Sequence, residues 1–183
     1  DHIGSLAYLL KKVNIPVYAT RLTIGLIEGK LKEHNILSSA KLNVVNPRQT
    51  IKMGCMAVEF IRVNHSIPDA VALAIHTPAG VIVHTGDFKI DVSPIEGEMI
   101  DLTRFGELGR KGVTLMLCES TNSERPGFTP SEKSVGSTFE DIFTANEGKR
   151  IIISTFSSNV HRVQQIIDVS LRHGRRIALS GRS

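Results

Sequence analysis

Residues 81–91 read Val81-Ile82-Val83-His84-Thr85-Gly86-Asp87-Phe88-Lys89-Ile90-Asp91, and this stretch decides the fold. Val81, Ile82, Val83 and Thr85 are β-branched, a class that suits pleated, half-buried strands. The stretch predicts a strand over residues 81–85 that stops at Gly86. Val71 to Thr77 has the same character, and Pro78-Ala79-Gly80 between the two runs predicts a hairpin. Asp87 then stands at the end of a buried strand. A carboxylate there is costly unless something pairs with it, so its partners must come from elsewhere in the chain.

Outward from the hairpin, the pattern alternates between periods. Ile3, Leu6, Leu9, Leu10 and Val13 have helical spacing, as do Leu22, Leu26, Ile27 and Leu31 in a helix over residues 21–34. Val17 to Ala19, Lys41 to Val45 and Ala57 to Val63 read as strands, with turn signals at Asn46-Pro47 and Met53-Gly54. A short helix around Leu102 to Leu108 leads to an apolar strand, Val113 to Cys118. Residues 120–130 are polar, with Pro and Gly, and read as a loop or linker. Thr129-Pro130-Ser131-Glu132 has the form of a capping box with Pro at the first helical position. A helix to about Asn146, a strand Ile151 to Ser154, a helix Val160 to His173 and a strand Ile177 to Ser180 follow. That order predicts α/β structure with a parallel crossover. A boundary near residue 128 divides the chain into residues 1–128 and 129–183.

The composition narrows the function classes. Of 183 residues, 41% are hydrophobic and 22% charged, which fits a folded globular chain rather than a disordered one. No apolar run is long enough to cross a bilayer. The net charge of +4 is compatible with a polyanionic partner. Aromatic residues are only 5% and Trp is absent, which argues against a base-stacking platform. Cys55 and Cys118 lie in apolar, strand-like surroundings and are expected to be buried free thiols. The start at Asp1 and the stop at Ser183 are expected to be cuts through a larger protein.

Asp1, His2, His65 and Asp87 are candidate metal ligands. Asp1 and His2 open the first expected helix, and His65 and Asp87 each follow a strand, so all project from ends of rigid elements. Imidazole with carboxylate suits zinc, manganese or iron. Each also has a plain structural role: Asp1 as a helix cap, His65 as a hydrogen-bonded loop histidine, Asp87 as a turn cap. His34, His76, His84 and His173 have no ligand-like partner in sequence. Ser157, Ser158 and Asn159 precede a helix N-terminus, where phosphate binds readily. His161 and Arg162 lie in its first turn, and Arg182 follows the next expected strand. Phosphate contact and plain capping by Ser158 or Asn159 are both open for this segment.

Several motifs carry a family resemblance. Asp1-His2 resembles the end of the His-x-His-x-Asp-His motif of the metallo-β-lactamase superfamily. Asn64-His65-Ser66-Ile67-Pro68-Asp69 and His84-Thr85-Gly86-Asp87-Phe88-Lys89 resemble the third and fourth metal motifs of the ribonuclease J family. Cys118-Glu119-Ser120-Thr121-Asn122 is similar to the segment carrying the first motif of the β-CASP subfamily. Thr155 to Arg162 and Ser180 to Ser183 also resemble ribonuclease J. The likeness runs the full length of the chain, in order.

The resemblance implies part of an αββα metallo-β-lactamase sandwich in residues 1–128, then the start of a β-CASP domain. It implies two zinc ions, with manganese or magnesium as alternatives, held by Asp1, His2, His65 and a bridging Asp87. Asp1 is implied to accept a proton from the attacking water and Glu119 to orient a histidine that protonates the leaving oxygen. The implied activity is hydrolysis of single-stranded RNA, as a 5′-to-3′ exonuclease and endonuclease, by two-metal activation of water. Cytoplasmic location, self-association and no membrane partner go with it. The family's remaining metal-binding histidines are expected before Asp1 and after Ser183, so the 183-residue chain alone is expected to be inactive. Two alternatives are a catalytically silent RNA-binding or structural subunit of an RNA-degrading complex and a metallo-hydrolase of small esters.

Overall fold

A computed structural model of the chain describes residues 2–95 and 97–181. Among these, five α-helices and two sheets form a mixed α/β structure. Packing gathers the chain into two compact units. One comprises Asp1–Val63, Asp69–Phe88 and Asp101–Ser120; the other comprises Asn64–Pro68, Lys89–Ile100 and Thr121–Ser183. Among the described residues no helix is long and apolar enough to cross a membrane.

The first unit opens with turns over residues 2–5 and then α1, Leu6–Lys12. The helix therefore starts later than its apolar spacing predicts, and His2 lies in a turn rather than at a helix N-terminus. Gly4 accounts for the delay, since glycine is a poor helix former. β1, Pro16–Ala19, pairs in parallel with β2, Lys41–Val44, through the crossover helix α2, Arg21–Glu33. Ile27 and Leu31 of α2 and Ala7 of α1 form a buried cluster, covered by Leu6, Val17 and Leu42.

The larger sheet has the order β3-β4-β5-β6-β7. Its strands are β3, Thr50–Met53; β4, Met56–Arg62; β5, Val71–Thr77; β6, Gly80–His84; and β7, Leu115–Leu117. All neighbours run antiparallel except β6 and β7, which are parallel. β3 was not expected. Thr-Ile-Lys-Met alternates polar and apolar residues but is only four residues long, and it becomes a strand by pairing with β4. The expected hairpin forms, with Thr77 opposite Gly80 across Pro78-Ala79. Gly80 has φ +134°, and a Cβ there would lie 2.0 Å from Thr114 Oγ1. Thr114 cannot retreat freely, because its N–H donates to Val81 O at 2.8 Å and leads the chain into β7.

Phe60, Ile61, Ala72, Ala74 and Val83 are the buried residues of this sheet. One buried charge lies among them. Glu59 accepts from Arg104 Nε at 2.7 Å and from Nη2 at 2.8 Å. Arg104 belongs to α3, Leu102–Lys111, which Asp101 caps by accepting from Arg104 N. Asp101 also receives both arms of Arg48, at 2.6 and 2.9 Å. Both cysteines are free, as expected, but both are exposed. Cys118 follows β7, a sheet edge whose three residues are themselves exposed, so its apolar neighbours do not bury it.

In the second unit, α4, Lys133–Ala145, packs on α5, Val160–Arg172. Phe139, Phe143 and Val169 form the core, with Ile151, Ile153 and Ile166 against it. The expected strands Ile151 to Ser154 and Ile177 to Ser180 do not form, nor does the crossover between them. A strand requires a hydrogen-bonded neighbour, and none pairs with these segments among the described residues. The side-chain alternation survives without a ladder: Ile151 and Ile153 face the core while Ile152 is 88% exposed.

The capping box also fails. Glu132 is the residue before α4 and makes no side-chain cap bond. Its carboxylate is engaged by Arg162 instead, a charge-assisted contact stronger than a neutral cap. Ser131 serves the helix end, accepting from Lys133 N at 3.3 Å while its hydroxyl donates to Asp91. Burial pushes the Asp91 carboxyl up, but the Ser93 N–H, the Ser131 hydroxyl and Lys89 outweigh it and hold the group below its ordinary value.

Candidate active site

β6 delivers Asp87 through a tight turn. Gly86 has φ +60°, and a Cβ there would meet the Val71 carbonyl oxygen at 3.3 Å. An L side chain in that region is strained, and the carbonyl, being backbone, cannot swing away. His84 fixes the turn by accepting from Gly86 N at 3.1 Å through Nδ1, a partner that sequence gave no sign of. Beyond the turn, Asp87 Oδ2 lies 2.9 Å from His2 Nε2. The structure thus brings together two expected ligands that are 85 positions apart in sequence. Asp1 lies outside the described residues.

Glu119 is placed by β7. His84 pairs with Leu117 in the parallel ladder, so Asp87 and Glu119 both emerge from the C-terminal end of the sheet. Carboxyl ends of parallel strands are the usual place for ligand sites in α/β folds. Glu119 N donates to the Thr85 hydroxyl at 3.2 Å. Thr85 is a residue that sequence reading passed over. Its only signal was a hydroxyl directly after a mostly apolar strand, two positions before the key carboxylate.

The donor chemistry at His2 and Asp87 fits a metal. One imidazole nitrogen and one carboxylate oxygen at a single point are a mixed N/O set of the kind zinc and manganese accept. Among the described residues no group of three or more His, Cys, Asp or Glu side chains gathers to hold an ion. By itself the pair offers two donor atoms.

His65 lies in the second unit, on a segment fixed by its neighbour. Asn64 accepts from Ile100 N at 2.8 Å and donates to Glu98 O at 3.1 Å. Its carbonyl receives Lys89 N at 2.8 Å. The next residue, Ser66, accepts from His161 N at 3.5 Å, which links the His65 segment to the start of α5. Asn159 caps α5, with Oδ1 accepting from Arg162 N at 3.0 Å. Ser157 is exposed and Ser158 half-buried, both in the turn before the helix. Arg182 lies outside the described residues.

Arg162 Nη2 donates to both Glu132 oxygens at 2.8 Å. Arg162→Ala is therefore expected to destabilise the protein by about 2 kcal/mol, the scale of hydrogen bonds to charged groups. Urea denaturation measures this. A fall of about one in the slope of log binding constant against log salt would additionally mark an RNA phosphate contact.

Residues 148–183, within the second unit, match the family model described as the β-CASP domain of ribonuclease J. Over its whole length the chain is 48% identical to the ribonuclease J of Synechocystis sp., covering 29% of that protein. It is 47% identical to that of Mycolicibacterium smegmatis and 40% identical to that of Thermus thermophilus, again over the whole chain. Those matches span 32% and 33% of the relatives' lengths, so the chain covers about a third or less of each. A crystal structure of a protein of unknown function from Enterococcus faecalis shares the fold. Its TM-score is 0.62 over 84% of this chain and 39% of that one, at 21% identity. Over its whole length the chain is thus similar to a stretch of proteins named ribonuclease J, and its C-terminal residues match that family's β-CASP domain.

Proposed function

We propose that this chain is a segment of a metal-dependent ribonuclease that hydrolyses phosphodiester bonds of single-stranded RNA, both from the 5′ end and internally. The observation that carries it is the His2–Asp87 pair at the C-terminal end of the sheet. It lies in a chain 40–48% identical to proteins named ribonuclease J. Asp1, His2, His65 and Asp87 would hold two zinc ions, with manganese or magnesium as alternatives. Bound ions supply Lewis-acid neutralisation of the charge that develops on phosphoryl oxygens.

The chain's own residues divide the remaining work. Asp1 accepts a proton and Glu119 orients a histidine beside the leaving group. Ser157, Ser158, Asn159, His161, Arg162 and Arg182 contact the RNA backbone. In this proposal residues 1–128 belong to a metallo-β-lactamase-type domain and 129–183 to a β-CASP domain. The whole protein self-associates and works in the cytoplasm, and the 183-residue chain alone is inactive.

Removal of metal tests the proposal. Dialysis of the intact protein against a strong chelator is expected to abolish cleavage of a single-stranded RNA, and added zinc or manganese to restore it. Full activity after chelation sinks the metal mechanism. RNA binding without cleavage under any metal would favour the silent-subunit alternative.

A further inference from the structure

We propose that Thr85 is a positioning residue whose buried hydroxyl locks the Gly86 turn to the Glu119 backbone, setting the two acidic groups relative to each other. This rests on the functional roles proposed for Asp87 and Glu119. Thr85 is only 2% exposed, yet its side chain is polar. A buried hydroxyl is costly unless its bonds are made, and this one makes them at both strand ends. Oγ1 donates to Gly86 O at 2.8 Å and accepts from Glu119 N at 3.2 Å. Leu117 O lies 3.5 Å from the same oxygen, and Thr85 N donates to Leu117 O at 3.0 Å.

The arrangement is specific in its chemistry. β6 and β7 pair over only three residues, Ile82 to His84 with Leu115 to Leu117, and the ladder stops just before both acids. Past that point the backbone ladder no longer holds the two chains together. The Thr85 main chain and hydroxyl extend the connection by one more step. A single hydroxyl reaches the carbonyl that begins the Asp87 turn and the N–H of Glu119 itself. Groups that orient ligands in this way are worth about 10- to 100-fold in metal affinity when removed.

The experiment uses the intact protein and three variants. Thr85→Val keeps the shape and removes the hydroxyl; Thr85→Ser keeps the hydroxyl and removes the methyl; Thr85→Ala removes both. Zinc affinity is measured by competition with a chromogenic chelator, and exchange of the Glu119 amide by hydrogen–deuterium exchange. Thr85→Val is expected to raise the zinc dissociation constant about tenfold. Its Glu119 amide should exchange about five- to tenfold faster, the worth of one lost hydrogen bond. Thr85→Ser should stay within about threefold of wild type on both readouts.

Wild-type zinc affinity in a folded Thr85→Val protein overturns the proposal, as does a Thr85→Ser protein as weak as Thr85→Val. Should Thr85→Val fail to fold, Ser against Ala isolates the same hydroxyl, and equal zinc affinities in those two would overturn it. Wild-type protein that takes up no zinc overturns the metal site first, and this proposal with it.

Discussion

Asp87→Asn in the intact protein is expected to lower kcat/KM for single-stranded RNA about a hundred- to a thousandfold, a loss of several kcal/mol of charge stabilisation. The substitution is close to isosteric. An amide oxygen can still accept from His2 Nε2, so the 2.9 Å contact between the two side chains can persist. What disappears is the negative charge. If Asp87 only capped the turn after Gly86, the amide would serve equally well and the rate would hardly move. The melting temperature should stay within a few degrees of wild type, because Asp87 is partly solvated and outside the buried core. A large loss of rate with little loss of stability identifies a site carboxylate. Equal losses of both would identify a structural one.

Arg104→Met is expected to destabilise the fold by about 3–5 kcal/mol, the cost of removing one partner from a buried ion pair. Glu59 is 5% exposed and sits on β4, an interior strand of the larger sheet. Arg104 gives it two hydrogen bonds and gives Glu107 a third, at 2.5 Å. His76 Nε2, at 3.4 Å from Glu59 Oε2, is too far to substitute for a guanidinium. Without Arg104 the Glu59 charge is buried with a single weak neighbour. Chemical denaturation measures the loss, and Glu59→Gln in the same background should recover part of it.

The pH dependence of these two proteins should differ in sign. In the wild type the Arg104 hydrogen bonds hold the Glu59 carboxyl below its ordinary value of 4.5, against the upward push of burial. The unfolded chain then binds more protons than the folded one between the two values. Stability is therefore fully present above pH 4.5 and is lost as pH falls through the lower, folded value. In Arg104→Met only burial acts strongly, so the folded carboxyl moves up. Stability then declines as pH rises above the ordinary value. Denaturation curves taken from pH 4 to pH 7 should show the wild type nearly level and the variant falling.

Much of the fold is legible in residue pattern because the cause is local. The hairpin between β5 and β6 follows from β-branched runs on either side of Pro78-Ala79-Gly80. Gly80 is required there for backbone and steric reasons at once. α2 follows from apolar spacing, and α5 ends just before Gly174, whose φ of +62° suits a residue past a helix end. Pattern fails where partners decide. Ile151 to Ser154 has strand composition but no ladder, and the short run Thr50 to Met53 gains one from its neighbour β4. Glu132 sits in a capping sequence, and a distant arginine takes its carboxylate.

The candidate site divides along the same line. Sequence by itself determined which residue types stand at the ends of the strands: Asp87 after Gly86, His65 after β4, Glu119 after β7. It also carried the resemblance to ribonuclease J, because those motifs occur in order along the chain. Only the tertiary structure decided that His2 reaches Asp87, that His84 and Thr85 fasten the turn between them, and that Arg162 is committed to Glu132. The physical reason is the range of the interactions. Strand and turn preferences act over a few residues and leave a mark on the local sequence. A hydrogen bond across 85 positions leaves none, and it exists only once the turn before α1 lies against the end of β6.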